Sequence, residues 1–207
     1  MGTGYSQNDE ERCIVEYFSG RSPARFLDVG AHDGVHLSNT RRLSELGWGG
    51  TLVEPSPSPF KSLMENYAGR DSVNLVNAAI VAGWPRLLKF YDSRGDFVST
   101  FDEAHRALWA AAGADGRAGV KFQPIYVYGI NFETLLTAFP GPYAFVSLDV
   151  EGINHLLFAE LPLREIGVEL VCVEYQDQLA AIEQRADEQG YRRRHVTSEN
   201  VILERVG

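Results

Sequence analysis

Residues 26–34, Phe26-Leu27-Asp28-Val29-Gly30-Ala31-His32-Asp33-Gly34, decide the fold, because a short apolar run there ends in an acid and a glycine turn. Such a run reads as a buried strand of an α/β sheet, and ligands of open α/β sheets bind where the strands end. Gly30 lets the backbone pass close to a ligand with no Cβ between them, and Gly34 allows a tight entry into the next element. The spacing is D-x-G-x-x-x-G. A dinucleotide fingerprint needs a glycine where His32 stands, so a pyrophosphate would meet a side chain, and a nucleotide-dependent oxidoreductase using NAD or FAD is disfavoured.

Outward from that turn, apolar runs alternate with amphipathic stretches, the pattern of helices covering both faces of a mostly parallel sheet. A helix is expected over 7–18, strand one over 25–29, a helix over 36–46 on a Leu37, Leu43 and Leu46 stripe stopped by Gly47, and strand two over 50–54. Ser56-Pro57-Ser58-Pro59 opens a helix that ends near Tyr67. Strand three is expected over 72–80, and 86–91 is an extra strand outside the parallel set. Residues 92–120, with an alanine-rich helix over 104–112 and a turn at 113–117, read as an insertion or lid. A strand over 122–129 precedes a helix over 132–139 capped by Asn131, which Pro140-Gly141-Pro142 breaks before strand four over 143–149. Strand five at 168–174, a helix at 177–189 closed by Gly190, and a hairpin-like pair at 191–197 and 201–206 complete the chain. The expectation is one α/β domain over 1–207, with an N-terminal helical segment in 1–24 and a mostly parallel seven-stranded sheet.

Composition narrows the function. A net charge of −9 over 207 residues repels a phosphate backbone, so nucleic acid is not an expected partner. The run Arg192-Arg193-Arg194 is the local exception and reads as a solvated strand face. Cys13 and Cys172 sit in apolar surroundings as reduced thiols, the first twenty residues lack a signal-like apolar run, and no stretch is apolar for a membrane span. A cytoplasmic location is expected; the sequence says nothing of oligomeric state.

The strand ends are acidic or polar in register: Asp28 and Gly30, Glu54, Asn77, Asp149 with Glu151, and Glu174. Glu54 follows Gly34 by one strand and can accept from both hydroxyls of a ribose, and Asn77 can read an adenine edge. A sulfonium nucleoside needs no pyrophosphate site, and its ammonium can use Asp28 or Asp149. Four blocks in order, 26–34, Gly47-Trp48-Gly49-Gly50-Thr51-Leu52-Val53-Glu54-Pro55, Asn77-Ala78-Ala79-Ile80 and Ser147-Leu148-Asp149-Val150-Glu151-Gly152, resemble the FkbM family of S-adenosylmethionine-dependent methyltransferases over roughly residues 26–204. The resemblance implies a class I, Rossmann-like methyltransferase fold and, commonly, O-methylation of a hydroxyl on a sugar or small secondary metabolite. It places Asp28, Gly30, His32, Gly34, Ser38, Glu54, Pro55, Asn77, Ala78 and Asp149 around the cofactor, with Asp149 and Glu151 as candidate catalytic groups. Relatives commonly carry an acid where this chain has Asn154, which cannot serve as a base.

Two alternatives stand beside that reading. Asp149 and Glu174, with Asp177 or Asn200, could hold a magnesium ion in a metal-dependent O-methyltransferase. A non-catalytic relative could keep the fold as a binding module. His32 and His36 flank the glycine turn, His105 in the suspected lid is a further base candidate, and His155 follows strand four. Tyr91, Tyr126 and Tyr128 hint at a flat or hydroxylated acceptor.

Overall fold

The computed structural model describes residues 4–111 and 119–207; the expected turn at 113–117 and the last residue of the helix expected at 104–112 lie outside them. In chain order the elements are α1 (Glu10–Tyr17), β1 (Arg25–Val29), α2 (Arg41–Glu45), β2 (Gly49–Val53), α3 (Pro57–Asn66), β3 (Val73–Val76), β4 (Ala79–Ile80), β5 (Arg86–Asp92) and α4 (Glu103–Ala110). They continue with β6 (Gln123–Ile130), α5 (Phe132–Ala138), β7 (Phe145–Leu148), α6 (Asn154–Glu160), β8 (Leu170–Glu174), α7 (Leu179–Gln189), β9 (Tyr191–Val196) and β10 (Asn200–Arg205).

The central sheet has seven strands in the order β3-β2-β1-β7-β8-β10-β9. β1 pairs in parallel with β2 on one side and β7 on the other, so the chain builds outward from β1 and then restarts beside it. That restart is a topological switch point, where the loops leaving β1 and β7 part and leave a crevice. β10 runs antiparallel to both β8 and β9 and closes the edge. The expected α/β fold, with five parallel strands and a closing pair, is the one observed.

Strand alternation splits the core between two faces. Leu27, Val29, Val146, Leu148, Val171 and Val173 point to the side covered by α5, α6 and α7, where Leu135, Phe158 and Ile182 are buried. Phe26, Leu52, Phe145, Leu170 and Ile202 point to the other, against Ile14 of α1, Leu43 of α2 and Leu63 of α3. Each of these fully buried side chains contributes about 1.5–3 kcal/mol relative to exposure. Asp28 belongs by parity to the second face, one residue before the end of β1. Trp48 packs there edge-on to Phe18, with ring centroids 4.7 Å apart.

Three expectations need correction, on the 36–46 helix, the 72–80 strand and the tyrosines, and one helix is an addition. The helix expected at 36–46 is only the five-residue α2. Leu37 takes a left-handed φ of 56° and is exposed, as is Leu46, so two of the three leucines in the supposed stripe face solvent. Ser38 Oγ instead accepts from the backbone of Thr40 and Arg41, which delays the helix and leaves 35–40 as a loop beside the switch point. The strand expected at 72–80 divides into β3 and β4, because Asn77 turns its amide onto the carbonyl oxygens of Glu54 and Pro55. β4 joins β6 and β5 in a second, three-stranded sheet of order β4-β6-β5. The segment between β5 and β6 carries α4, with Asp102 capping it by accepting from Ala104 and His105. Tyr91 donates to Glu103 at 2.7 Å and so fastens α4, while Tyr126 and Tyr128 lie exposed on the outer face of the small sheet. Finally, α6 had no counterpart among the expected elements: seven residues between a glycine turn and Pro162 are too few for a helical period to declare itself.

Candidate functional site

A cavity of about 700 Å³ opens at the switch point, within the size range of small-molecule sites. Its walls include Asp28, Gly30, His32, Ser38, Glu54, Pro55, Ala78, Asp149, Glu151 and Glu174, together with residues of the segment between β5 and β6. Gly34 and Asn77 do not line it.

The glycine turn works differently from the sequence-based expectation. At Gly30, with φ of 89°, a Cβ would stand 1.7 Å from the carbonyl oxygen of Asp149. The bare backbone therefore makes room for the chain's own β7 loop, and the close packing of β1 against β7 fixes the distance between Asp28 and Asp149. A Cβ on Gly34 would meet Leu63 and Tyr67 at 2.5 Å, so this glycine seats the turn against α3. Asp33 Oδ1 holds the turn by accepting from the backbone of Val35 and His36, and its Oδ2 lies 2.5 Å from His36 Nδ1.

Glu54, at the end of β2, is buried with one oxygen accepting from the His32 backbone N–H at 2.9 Å and the other from that of Ser56 at 2.6 Å. Burial outweighs those two bonds and pushes its carboxyl up to about 7. Asp28 accepts from Thr40 Oγ1 at 2.5 Å, and burial raises it to about 6. Each acid is thus oriented by fixed donors and, among the described residues, lacks a cation. The His32 backbone sits at φ 50°, and its ring stacks on Phe97 with centroids 4.1 Å apart. Neither ring nitrogen of His32 has a partner among the described residues. Burial holds this imidazole below the usual histidine range, against the pull of Asp33.

At the ends of β7 and β8, one carboxylate oxygen each from Asp149, Glu151 and Glu174 lie within 4.8 Å of one another. Asp149 is exposed to the cavity that it lines. Burial raises both Asp149 and Glu174, and the neighbouring acids raise them further, Glu151 acting chiefly on Asp149 and Asp149 chiefly on Glu174. Asn154, buried at the start of α6, accepts from the Val150 N–H at 2.9 Å and donates to Glu174 Oε2 at 2.8 Å. Its amide needs both a donor and an acceptor end, which a carboxylate cannot offer; its place in the fold is that of a clamp between the two loops. Asn200 is turned away from this group and donates to Glu10 at 3.1 Å. Asp177 lines the cavity outside the converging three, and His155 does not line it.

Sequence reasoning gave little weight to α4. His105 Nε2 lies 2.9 Å from Glu151 Oε2 and 2.9 Å from Trp109 Nε1, so the helix meets the β7 loop across the cavity. Thr100 adds a bond from its hydroxyl to the Glu151 carbonyl at 3.1 Å. Glu151 is held at a left-handed φ of 50°, a conformation that costs a non-glycine residue about 1–2 kcal/mol. The sequence carried a hint in His105 and Trp109, four apart and so on one helix face, although nothing in it tied that face to Glu151.

An acid-lined cavity at the switch point of a mostly parallel sheet with an antiparallel closing hairpin defines a Rossmann-like methyltransferase. The chain belongs to the methyltransferase FkbM domain family, whose match runs over residues 28–193. The family implies S-adenosylmethionine as cofactor. The fold is similar to that of precorrin-6Y C5,15-methyltransferase from Geobacter metallireducens GS-15, at 11% identity over 99% of this chain and 94% of that one, with a TM-score of 0.51. It is also similar to monomeric WbdD, at 13% identity over 97% of this chain and 41% of that one, with a TM-score of 0.52. Likenesses at such identities bear on the fold alone. No curated protein matches the sequence. Among the described residues, no helix is long and apolar enough to cross a membrane.

The residues present suit the implied cofactor. Glu54 offers the remaining lone pairs of two fixed oxygens to a diol, Asp28 and Asp149 offer charge to an ammonium, and Ala78, Ile80 and Phe90 offer apolar wall to a base.

Proposed function

We propose that this chain is an O-methyltransferase whose acceptor is a hydroxyl of a sugar or small metabolite, with Glu151 as the proton acceptor. The observation that carries this reading is the placement of Glu151: a carboxylate in the cavity wall, two residues beyond the acid that ends β7, fixed through its backbone by Thr100 and through its side chain by His105. In this reading Glu54 orients the ribose, Asp28 and Asp149 hold the ammonium end, and Ser38, His32, Pro55 and Ala78 line the remainder. When bound, the cofactor supplies an electrophilic methyl group. The chain's share is positioning: the walls hold the hydroxyl in line and exclude water, which can account for much of a methyl-transfer rate. Glu151 takes the hydroxyl proton as the oxygen forms its new bond, and solvent at the cavity mouth later removes it. General-base help of this kind adds about 10²–10⁴-fold. The acidity of the whole chain argues against nucleic acid as acceptor.

The test is transfer from methyl-labelled S-adenosylmethionine to a panel of polyols, phenols, amines and carboxylic acids, with products mapped by mass spectrometry. Label in ether linkage, with kcat reduced about 100-fold in Glu151→Gln and S-adenosylhomocysteine affinity retained, supports the reading. Label on nitrogen or carbon, or a Glu151→Gln variant as fast as the parent, contradicts it.

A further inference from the structure

The carboxylates of the cavity outnumber what one cofactor can use. Eight of the lining residues are Asp or Glu, and among the described residues none is Lys or Arg. Elsewhere the chain pairs its acids: Glu204 with Arg192 and Arg194, Glu169 with Arg21, Glu183 with Arg193. Among the described residues, Glu151 is the one acid of the cavity in an ion-pair contact with a basic side chain, His105.

The sheet order lays these acids out in a row. Glu54 follows β2, Asp28 lies in β1, Asp149 follows β7, Glu174 ends β8, and Glu199 precedes β10, whose Asn200 pairs with Glu174. Four steps between neighbouring strands span about 19 Å. The reading above commits Glu54, Asp28 and Asp149 to the cofactor, over the β2, β1 and β7 end. Glu151, Glu174, Asp177 and Glu199 remain over the β7, β8 and β10 end, on the side left for an acceptor. A wall of one sign with low-dielectric surroundings concentrates ions of the other sign and rejects its own.

We propose that the acceptor carries a protonated amine beside the hydroxyl that is methylated, as an amino sugar or amino alcohol does, and that Glu174, Asp177 and Glu199 receive the amine. The inference rests on the methyltransferase reading and specifies its acceptor. Phosphorylated and carboxylated acceptors are excluded by the same wall. A single divalent cation would draw its ligands to one point, and only Asp149, Glu151 and Glu174 approach such a point. Asp177 and Glu199 stand outside it; Glu174 Oε2 accepts from Asn154 and Gln176, Glu199 Oε2 from Asn8 and Ser198, and Asp177 Oδ1 from Gln178, so each acid keeps its other oxygen for an N–H donor. A row of charge suits an extended organic cation better than a point ion.

The test starts with the protein saturated with S-adenosylhomocysteine, whose own binding is measured first; failure at that step strikes the methyltransferase reading and not this inference. D-glucosamine, N-acetyl-D-glucosamine and D-glucose 6-phosphate are then titrated into the loaded protein at low salt. The expected result is glucosamine binding about tenfold more tightly than its N-acetyl counterpart, with no binding of the phosphate. The preference should vanish in Asp177→Asn combined with Glu199→Gln, a variant whose melting temperature and S-adenosylhomocysteine affinity should match the parent. Equal binding of the two sugars, binding of neither, or tighter binding of the phosphate overturns the proposal. So does magnesium chloride at millimolar concentration, if it stabilises the protein and displaces glucosamine, since the row would then serve a metal.

Discussion

The β9–β10 hairpin and the cavity at the ends of β1, β2, β7 and β8 are both rich in charge, and they treat it in opposite ways. On the hairpin Arg192 and Arg194 share Glu204, Arg193 reaches Glu183, and His195 meets Asp9 at 2.8 Å. Three consecutive arginines, read in the sequence as a solvated strand face, are thereby spent on neighbours. In the cavity Asp28 and Glu54 are buried, oriented by backbone and hydroxyl donors, and left without a cation among the described residues. Charge on the hairpin is settled within the fold, while charge in the cavity is left for something that the fold does not contain.

The two regions respond differently to change. The largest effect is expected at Gly30, where a Cβ would strike the Asp149 carbonyl and φ is 89°. Gly30→Ala should cost about 3–4 kcal/mol, or leave no folded protein, as measured by urea denaturation; a melt within a degree of the parent would show that the β1 and β7 loops are not locked together.

The second effect is a dependence on pH. Burial raises Glu54 to about 7 and Asp28 to about 6, from ordinary values of 4.5 and 3.8. A raised carboxyl favours folding while protonated, so its contribution is full below the ordinary value and is lost as pH climbs through the folded one. The ligand-free protein should therefore lose stability between about pH 4 and pH 7, by on the order of 2–3 kcal/mol for each acid at most. Thermal melts across that range should fall, and Glu54→Gln should flatten the slope. A slope of opposite sign would mean that a cation of the fold already answers these acids.

Asn154→Ala should come next. It strips the Val150 N–H and Glu174 of their shared partner, at about 2 kcal/mol, or roughly 4–8 °C in Tm for a chain of this size. The smallest effect is expected on the hairpin, where Glu204→Gln removes two exposed arginine pairs and should shift stability by about 1 kcal/mol or less, and less still at high salt.

Much of this contrast was legible in the sequence on the cavity side. Strand ends at Asp28, Glu54, Asp149 and Glu174 could be read because a buried strand announces itself by an apolar run, and the residue that stops the run is visible. The mostly parallel seven-stranded sheet followed from the alternation of strands and helices and from the family resemblance, while the order of its strands came from the structure. Other features were hidden because they depend on side chains turning onto backbone. Ser38 delayed α2, and Asn77 split a strand and left the cavity. Gly30 and Gly34 were marked as special positions, yet their reason is the Asp149 carbonyl and the α3 side chains rather than a ligand. The meeting of His105 with Glu151 links residues 46 positions apart through a segment with weak periodicity, and no local pattern encodes such a contact. Likewise, the pairing of the three arginines could not be read without the register of β10 on β9.

The most direct test of the central claim, that the acids of the cavity await S-adenosylmethionine, is calorimetric titration of S-adenosylmethionine and S-adenosylhomocysteine into the parent protein, Asp28→Ala and Glu54→Ala, with Glu204→Gln as the hairpin control. Micromolar binding to the parent and to Glu204→Gln, weakened about 100-fold or more in both cavity variants, is the predicted result. Absence of binding to the parent, or equal binding to all four proteins, would contradict it.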